Sequence, residues 1–258
     1  MNEDDSYYED RLNLAAVLRM SARLNLHEGV ANHFSYAVSE DGGRFLVNPF
    51  GRHFSNIRAG DLLLLDSNAD EPEGADPTAW AIHSAMHRNL PQGRCVLHVH
   101  SKFATVLASL QEPGLPPIDQ NTMRFFNRVS VDDGFNGMGL GDEAERLTTR
   151  LGGNRIMLMG NHGVMAVGET IARAFDELYY FERACETYIT ALSTGRPLRI
   201  VSDETAEKTA LQWEEYMDRI GLCEAHLSEI RAILDREEPD YAGLRHDLAG
   251  QRARHAEA

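Results

Sequence analysis

The stretch VLHVHSKFATVLASL, residues 96–110, decides how this chain folds, because it sets His98 and His100 two apart in an apolar run. The alternation in CVLHVH predicts a strand over residues 95–100, and SKFATVLASL predicts a helix directly after it. Residues two apart on a strand point to the same face, with Cα atoms roughly 6.6–7 Å apart. We therefore expect Leu97 and Val99 to face the core and the two histidines to face a cleft. There their imidazoles can reach one cation at about 2.0–2.1 Å.

A third histidine stands in a second short motif. His162 lies in Gly160-Asn161-His162-Gly163, between the two apolar segments of RIMLMGNHGVMAVG. Glycine allows a tight turn that brings an imidazole close to a neighbouring element. We expect two short strands there, with His162 in the turn between them. Two alternatives stay open, because paired histidines are often hydrogen-bonded core residues and a hairpin turn can contain a histidine by chance.

The rest of the sequence predicts an α/β fold. Apolar residues at helical spacing predict helices over 7–26, 78–90, 169–192 and 204–236. A hairpin is expected to turn at residues 41–43, and DLLLLD, residues 61–66, predicts a short buried strand. Residues 113–140 carry no regular pattern. Because strands interleave with helices through hairpin-like connections, we expect a mixed, largely antiparallel sheet with helices on its faces.

Composition excludes several functional classes. The net charge of −15 over 258 residues argues against binding to nucleic acid or anionic membranes, which are recognised mainly through Lys and Arg. No apolar run approaches the ~18 residues of a membrane span. The acidic N-terminus lacks the order of a signal peptide. Three scattered cysteines without a CxxC pair predict reduced thiols and a cytoplasmic location.

Four sequence blocks, in order, resemble the class II aldolase/adducin family. They are NPFGRHFSNIRAGDLLLLD, WAIHSAMHRNL, VLHVHSKFATVLASL and IMLMGNHGVMAVGETIARAFDELYYFERACETYI. The resemblance covers about residues 12–200. It implies a three-layer α/β/α sandwich around a mainly antiparallel central sheet in residues 1–200. Residues 201–258 would then form a C-terminal helical extension and a loose tail.

The resemblance also implies a site and an assembly. One divalent metal ion (Zn, Mn, Co or Fe(II)) would be held by His98, His100 and His162. Family members commonly form ring-shaped homotetramers with active sites at subunit interfaces, where Trp213 or Tyr216 would reach into a neighbour's cleft. The partner is then a small-molecule substrate rather than a nucleic acid or a membrane.

The sequence departs from the sugar-phosphate aldolases of this family at the catalytic carboxylate. Their Ser-Ser-Glu-Trp is Pro77-Thr78-Ala79-Trp80 here, so Ala79 stands where a Glu would bind metal and exchange protons. Their phosphate-binding turns have become Gly29–His33 and Asn48-Pro49-Phe50-Gly51. An anion cradle needs free backbone N–H groups and small hydroxyl side chains, whereas Val30 and Phe50 supply bulk. We therefore expect a non-phosphorylated substrate.

Several further residues are candidates for binding and catalysis. Four aromatic residues would suit a flat molecule, although plain core packing is the favoured explanation; they are Phe50, Phe125, Phe126 and Phe135. Candidate substrate-binding residues are Asn32, Phe50, Arg52 and Arg124. Candidate proton donors are His83, His33 and Tyr179. His83 and His87 share one helical face. HSAMH lacks the Glu of the zinc-protease motif HExxH, which excludes that class.

These residues predict a metal-dependent carbon–carbon lyase acting on a non-phosphorylated hydroxy or oxo acid. Chelation of two substrate oxygens would fix orientation and stabilise developing enolate charge. Decarboxylation is favoured over aldol cleavage because Ala79 cannot act as the base that removes a carbon-bound proton in aldol addition, and some relatives decarboxylate hydroxylated aromatic acids. One alternative is a non-haem Fe(II) oxygenase acting on an aromatic 2-oxo or 2-hydroxy acid. A second is a non-catalytic, adducin-like interaction module.

Overall fold

A seven-stranded sheet forms the centre of the computed structural model, which describes residues 7–69, 74–134 and 143–244. The strand order is β3-β2-β1-β4-β7-β6-β5, and every neighbouring pair is antiparallel except β5 and β6. The strands are β1 (His33–Ala37), β2 (Arg44–Val47), β3 (Leu63–Asp66), β4 (Cys95–Val99), β5 (Val129–Asp132), β6 (Ile156–Met159) and β7 (Gly163–Gly168). The predicted mainly antiparallel sheet is confirmed.

Helices cover both faces of this sheet. They are α1 (Tyr8–Arg23), α2 (Pro77–Asn89), α3 (Lys102–Ala108), α4 (Gln120–Arg124), α5 (Glu143–Leu151), α6 (Ile171–Ser193), α7 (Asp203–Ile220) and α8 (Leu222–Glu237). Residues of α1, α3, α6 and α8 share one core with Leu97 and Val99 of β4. On the other face, α2 and α5 pack against Val96, Met157 and Met165. This is the three-layer α/β/α arrangement predicted from the sequence.

Two predictions about secondary structure were wrong. The single helix expected over 204–236 is two helices, because Gly221 adopts a left-handed conformation (φ 63°) that ends α7 and begins α8. The segment 113–140 is not irregular throughout, since it contains α4 and β5. Residues 135–142 lie outside the described part of the chain, and Phe135 lies among them.

The C-terminal helices pack on the same core as the sheet. Met217 of α7 and Leu227, Ile230 and Leu234 of α8 are buried in the core that also holds α1 and α6. Arg19 of α1 forms an ion pair with Glu238 at 3.0 Å. The division into a 1–200 domain and a 201–258 extension stays a prediction.

Among the residues described, no helix combines the length and apolar character that crossing a membrane requires. Cys95, Cys185 and Cys223 are unpaired and buried.

Candidate metal centre

The histidines of the sequence motifs meet at one edge of the sheet. β4 ends at Val99 and β7 begins at Gly163, and because these strands are antiparallel, His100 and His162 emerge side by side. β1 begins at this edge with His33, which is the cross-strand partner of His98. β2 ends there as well. We call this end of the sheet, where β2 and β4 end and β1 and β7 begin, the site edge.

Three imidazoles converge at the site edge and form what we call the histidine cluster: His98, His100 and His162. One ring nitrogen from each lies within 4.8 Å of the others. Their ring centroids are 4.8–5.0 Å apart. Gly163 makes the close approach possible, because a Cβ there would lie 2.6 Å from the Val99 carbonyl oxygen and 2.9 Å from Cδ2 of His100. Leu97 and Val99 face the core, as predicted.

Hydrogen bonds fix the tautomers of two members of the cluster. His98 Nδ1 lies 3.1 Å from the Val164 carbonyl oxygen, which can only accept, so Nδ1 carries the proton. His100 Nδ1 lies 2.6 Å from a carboxylate oxygen of Glu28 and likewise donates. Both Nε2 atoms therefore carry lone pairs when the rings are neutral, and they lie 3.1 Å apart. Two facing lone pairs repel each other unless a cation lies between them, so this donor set fits a divalent metal.

Burial keeps His98 and His162 neutral, which is the state that binds metal. Burial, followed by the nearby His33, lowers the pKa of His98 well below its ordinary value. Burial and then His100 lower the pKa of His162 to about 4. At neutral pH the two rings are thus neutral, and each has one nitrogen lone pair that can bind a metal.

Polar groups behind the cluster hold His100 in place. Asn32 Oδ1 accepts from the backbone N–H of Glu28 at 2.6 Å and from that of His100 at 3.5 Å. The carboxylate of Glu182 on α6 accepts from Ser101 Oγ at 2.6 Å and from two backbone N–H groups of the first turn of α3. Glu182 thereby satisfies the free end of the helix that follows His100. Asn32 Nδ2 is buried without a hydrogen-bond partner.

Helix α2 brings a row of residues onto the sheet beside the cluster. Asp76 caps this helix by accepting from the N–H groups of Thr78 and Ala79, and Pro77 occupies the first helical position. Ala79, His83 and His87 follow at four-residue spacing, and all three are buried. His83 Nε2 lies 2.7 Å from His33 Nδ1, and the His33 ring lies 4.9 Å from that of His98. Burial lowers the pKa of His33 to about 4.

Two candidate substrate-binding residues lie on the loop that leaves β2 at the site edge. Phe50 is 60% exposed. Arg52 is exposed, donates to the Asn56 carbonyl at 3.3 Å and lies 3.5 Å from the Asp61 carboxylate. Both side chains are thus accessible at the edge that carries the histidine cluster.

The other candidates lie elsewhere. Arg124 Nη2 lies 2.9 Å from Asp176 and 3.1 Å from Glu177, and Asp176 also accepts from His226. We call these four residues the arginine cluster. Arg124 lines a cavity of about 70 Å³ with residues 153–156, which lead into β6 at the edge opposite His162.

Aromatic candidates also pack away from the site edge. Tyr179 packs against Tyr180 and His226, with ring centroids 5.2 and 5.1 Å away. Phe125 is buried against Phe181 at 5.1 Å. Phe126, in the turn after α4, is half-buried. Packing within the chain accounts for Tyr179 and Phe125.

Sequence reasoning missed Glu28 and Ser35. Glu28 lies in the loop before β1 and reaches a histidine 72 positions away, so no local pattern reveals it. Ser35 stands two residues after His33 on β1, and period-2 alternation places the two on one face. That spacing was the available signal for Ser35.

Comparison with known proteins gives a consistent set of relatives. The family described as Class II Aldolase and Adducin N-terminal domain matches residues 12–189. Decarboxylase NovR of Streptomyces niveus is 31% identical over 218 residues, which cover 81% of this chain and 80% of that protein. The 4-hydroxy-3-prenylphenylpyruvate oxygenase/4-hydroxy-3-prenylbenzoate synthase of Streptomyces roseochromogenus subsp. oscitans is 29% identical over 201 residues, covering 74% and 72%. The crystal structure of an aldolase II superfamily protein from Pseudomonas syringae superposes with a TM-score of 0.84 at 30% identity, covering 93% and 97%.

Proposed function

This chain belongs to the class II aldolase and adducin family, and from that premise we propose that it is a metal-dependent carbon–carbon lyase. Its substrate would be a non-phosphorylated hydroxy or oxo acid. One observation carries the proposal: Nε2 of His98 and Nε2 of His100 face each other at 3.1 Å beside His162. A divalent ion (Zn, Mn, Co or Fe(II)) held there would supply a Lewis acid for a pair of substrate oxygens.

The loops at the site edge support a substrate without phosphate. Val30 is 47% exposed and Phe50 is 60% exposed, and neither side chain offers a hydroxyl group. Phosphate cradles are built from backbone N–H groups with small polar side chains. An aromatic or otherwise apolar acid fits these two side chains better.

Two polar residues are suited to hold the substrate. Within the described residues, Arg52 lies 3.5 Å from the largely buried Asp61 carboxylate and donates to a backbone carbonyl, but the Arg52 side chain itself is 47% exposed, and ion pairs open to solvent are worth little. Its guanidinium can therefore turn to a substrate carboxylate and bind both oxygens. Asn32 Nδ2 is a second donor in need of an acceptor. Arg124 and Tyr179 stay predictions from the sequence, and neither belongs to the site proposed from the structure.

Decarboxylation is the reaction that these residues favour. Ala79 carries no proton-accepting group, and the Glu28 carboxylate is occupied by His100. Loss of carbon dioxide requires no base to remove a proton, whereas aldol addition needs a base for a carbon-bound proton and aldol cleavage needs one for the substrate hydroxyl proton. Both nitrogens of His83 are engaged, by His33 and Ser35, so we assign proton delivery to His33. Its Nε2 would take a proton from water and pass it to carbon.

The relatives support this choice without fixing the substrate. One relative is named as a decarboxylase and another acts, by its name, on prenylated hydroxyphenyl acids. A hydroxylated aromatic acid is accordingly the substrate class that we propose. Aldol cleavage of a non-phosphorylated substrate is the second reaction of the same class.

A non-haem Fe(II) oxygenase is the alternative function. The donor set favours it in one respect, because three neutral histidines without a carboxylate ligand leave positions for oxygen and substrate. The relative named as an oxygenase points the same way. A non-catalytic interaction module, as in adducin, is the remaining alternative.

One experiment separates these functions. The protein is purified anaerobically, loaded in turn with Zn²⁺, Mn²⁺, Co²⁺ or Fe²⁺, and supplied with hydroxylated aromatic 2-oxo and carboxylic acids. Carbon dioxide release without oxygen uptake supports the lyase. Oxygen uptake matching carbon dioxide release in the Fe²⁺ form alone supports the oxygenase, and failure to retain any metal supports the interaction module.

His98→Ala is expected to abolish turnover, whereas His226→Gln, in the arginine cluster, retains it.

We also propose a homotetramer in the cytoplasm. Trp213 and Tyr216 line a groove of about 360 Å³ on α7, and Tyr216 is 45% exposed, which suits a contact with a neighbouring subunit. The three unpaired cysteines suit a reducing compartment. Light scattering coupled to gel filtration tests the assembly, and a monomeric mass contradicts it.

A further inference from the structure

A chain of hydrogen bonds, which we call the histidine–serine chain, runs through the interior from a backbone carbonyl to His33. His87 Nδ1 lies 2.7 Å from the Gly93 carbonyl oxygen, and His87 Nε2 lies 2.8 Å from Ser35 Oγ. Ser35 Oγ also contacts His83 Nδ1. His83 Nε2 in turn lies 2.7 Å from His33 Nδ1. All four side chains are at most 6% exposed, so water does not compete for these bonds.

The Gly93 carbonyl fixes which atom donates in each hydrogen bond of the histidine–serine chain. A carbonyl oxygen only accepts, so His87 carries its proton on Nδ1, and in the neutral ring Nε2 is an acceptor. Ser35 must then give its only proton to His87, and it accepts from Nδ1 of His83. The neutral His83 ring therefore has a bare Nε2, which accepts from Nδ1 of His33. One carbonyl thus sets the tautomers of three histidines.

The environment keeps the rings neutral, as this argument requires. Burial lowers the pKa of His87 to about 4, although its bond to Gly93 opposes the effect. Burial, followed by His33 and His87, lowers the pKa of His83 well below its ordinary value. Within the described residues no carboxylate hydrogen-bonds to either ring. A protonated ring would leave an N–H group facing another donor.

The chain ends where the family's catalytic carboxylate is missing. Ala79 precedes His83 by one turn on the same face of α2, and the His33 ring packs 4.9 Å from His98. The helix that carries Ala79 in place of the Glu thus also carries His83 and His87, which contact His33 and Ser35 of β1.

We propose that Ser35, His83 and His87 are positioning residues that hold His33 in its Nδ1–H tautomer, leaving its Nε2 an unprotonated acceptor beside the histidine cluster. The use of that nitrogen in proton transfer rests on the proposed function. The tautomer assignment does not, because it follows from contacts within the chain.

Long-range ¹H–¹⁵N spectra of metal-free protein labelled in its eleven histidines test the assignment at pH 7.5. Such spectra distinguish the protonated from the bare ring nitrogen, and single histidine substitutions give the assignments. We expect His33, His83 and His87 to carry their proton on Nδ1, the form that free imidazole side chains disfavour in water. A proton on Nε2 of His33 or His83 overturns the proposal.

Substitution of Ser35 tests the direction of the chain. Ser35→Ala removes the acceptor of His83, so His83 and His33 are expected to shift toward mixed tautomers. His87 keeps its Nδ1 proton because Gly93 is unaffected. Ser35→Thr retains the hydroxyl group and is expected to restore the wild-type pattern. Ser84→Ala is the matched control, since Ser84 is a buried serine of α2 whose hydroxyl has no hydrogen-bond partner.

The outcomes separate this proposal from the proposed function. Unchanged His83 and His33 signals in Ser35→Ala, or equal changes in Ser84→Ala, overturn the proposal. If Ser35→Ala does not fold, the wild-type and Ser35→Thr spectra still decide it. If the protein shows the expected tautomers but retains no metal, the histidine–serine chain is supported and the proposed lyase function is refuted. If the protein is a metal-dependent decarboxylase but shows other tautomers, the lyase function is supported and the histidine–serine chain is refuted.

Discussion

Two clusters of buried polar side chains lie at opposite edges of the sheet, and they are built on different principles. In the arginine cluster, Arg124 faces the carboxylates of Asp176 and Glu177, so opposite charges compensate each other. Its guanidinium also lies over the ring of Tyr180, at 4.8 Å. In the histidine cluster, by contrast, acceptor atoms face each other: Nε2 of His98 lies 3.1 Å from Nε2 of His100.

On the proposed function, this difference separates a structural cluster from a metal-binding one. In the arginine cluster, opposite charges pair within the chain, which offsets the cost of burying them, although among the described residues the guanidinium nitrogens of Arg124 make no hydrogen bond of good geometry that satisfies them. Although burial raises the pKa of Asp176, the hydrogen bonds and charges of His226 and Arg124 lower it on balance. On the proposed function, a cation completes the histidine cluster. Disruption of the first should therefore affect folding, and disruption of the second should affect binding.

Removal of Arg124 is expected to have the largest effect. Arg124→Leu removes the cation that Asp176 and Glu177 share, although Glu177 keeps Arg173 at 2.8 Å and Asp176 keeps His226 at 2.9 Å. The expected loss of unfolding free energy is therefore about 3 kcal/mol, the lower end of the cost of breaking a buried ion pair. Urea denaturation measures the loss. Arg128→Leu is the control, because Arg128 pairs with the half-exposed Glu207 and Glu214 and such pairs contribute about 1 kcal/mol or less. Equal losses in the two variants would remove the distinction between the clusters.

Removal of a cluster histidine is expected to weaken metal binding while leaving the fold intact. His98→Ala, His100→Ala and His162→Ala should each lower Zn²⁺ affinity by more than about 100-fold, beyond the range seen for residues behind a ligand. Competition with a chromophoric chelator measures the affinity, and circular dichroism checks the fold. Retention of wild-type affinity in any of the three would exclude that residue as a ligand.

Glu28 is expected to act through His100. Glu28→Gln weakens the acceptor that fixes the His100 tautomer, so Zn²⁺ affinity should fall by about 10–100-fold. Glu112→Gln, which changes an exposed glutamate elsewhere, is the control. An unchanged affinity in Glu28→Gln would mean that this carboxylate contact does not orient the ligand.

Acidification gives the smallest expected effect. His87 is neutral in the folded protein with a pKa of about 4, and in the unfolded chain it binds a proton near pH 6.5. The unfolded state therefore binds more protons between these values, and stability is lost as the pH falls from about 6.5 toward 4. At pH 5 His87 should account for roughly 1–2 kcal/mol. Urea denaturation of metal-free wild type and His87→Gln at pH 7.5 and 5 measures this, and equal losses in both proteins would contradict it.

The sequence predicted the features that depend on local spacing. His98 and His100 share a strand face because alternation is local, and the mainly antiparallel sheet follows from short connections. The helix break at Gly221 was missed, because one glycine in a helical pattern costs only about 1 kcal/mol. The histidine–serine chain was missed as well, because it arises only when α2 docks against β1. Whether an arginine such as Arg124 faces a substrate or a buried carboxylate depends on helix packing that spacing does not reveal.

On the proposed function, three imidazoles bind one cation through Nε2 of His98 and His100 together with His162. Crystals grown with Zn²⁺ and measured at the zinc absorption edge would locate that ion. We predict one anomalous peak per chain at the histidine cluster, about 2.0–2.1 Å from both Nε2 atoms and from a ring nitrogen of His162. A peak elsewhere, or no peak when zinc is in excess, would contradict the account.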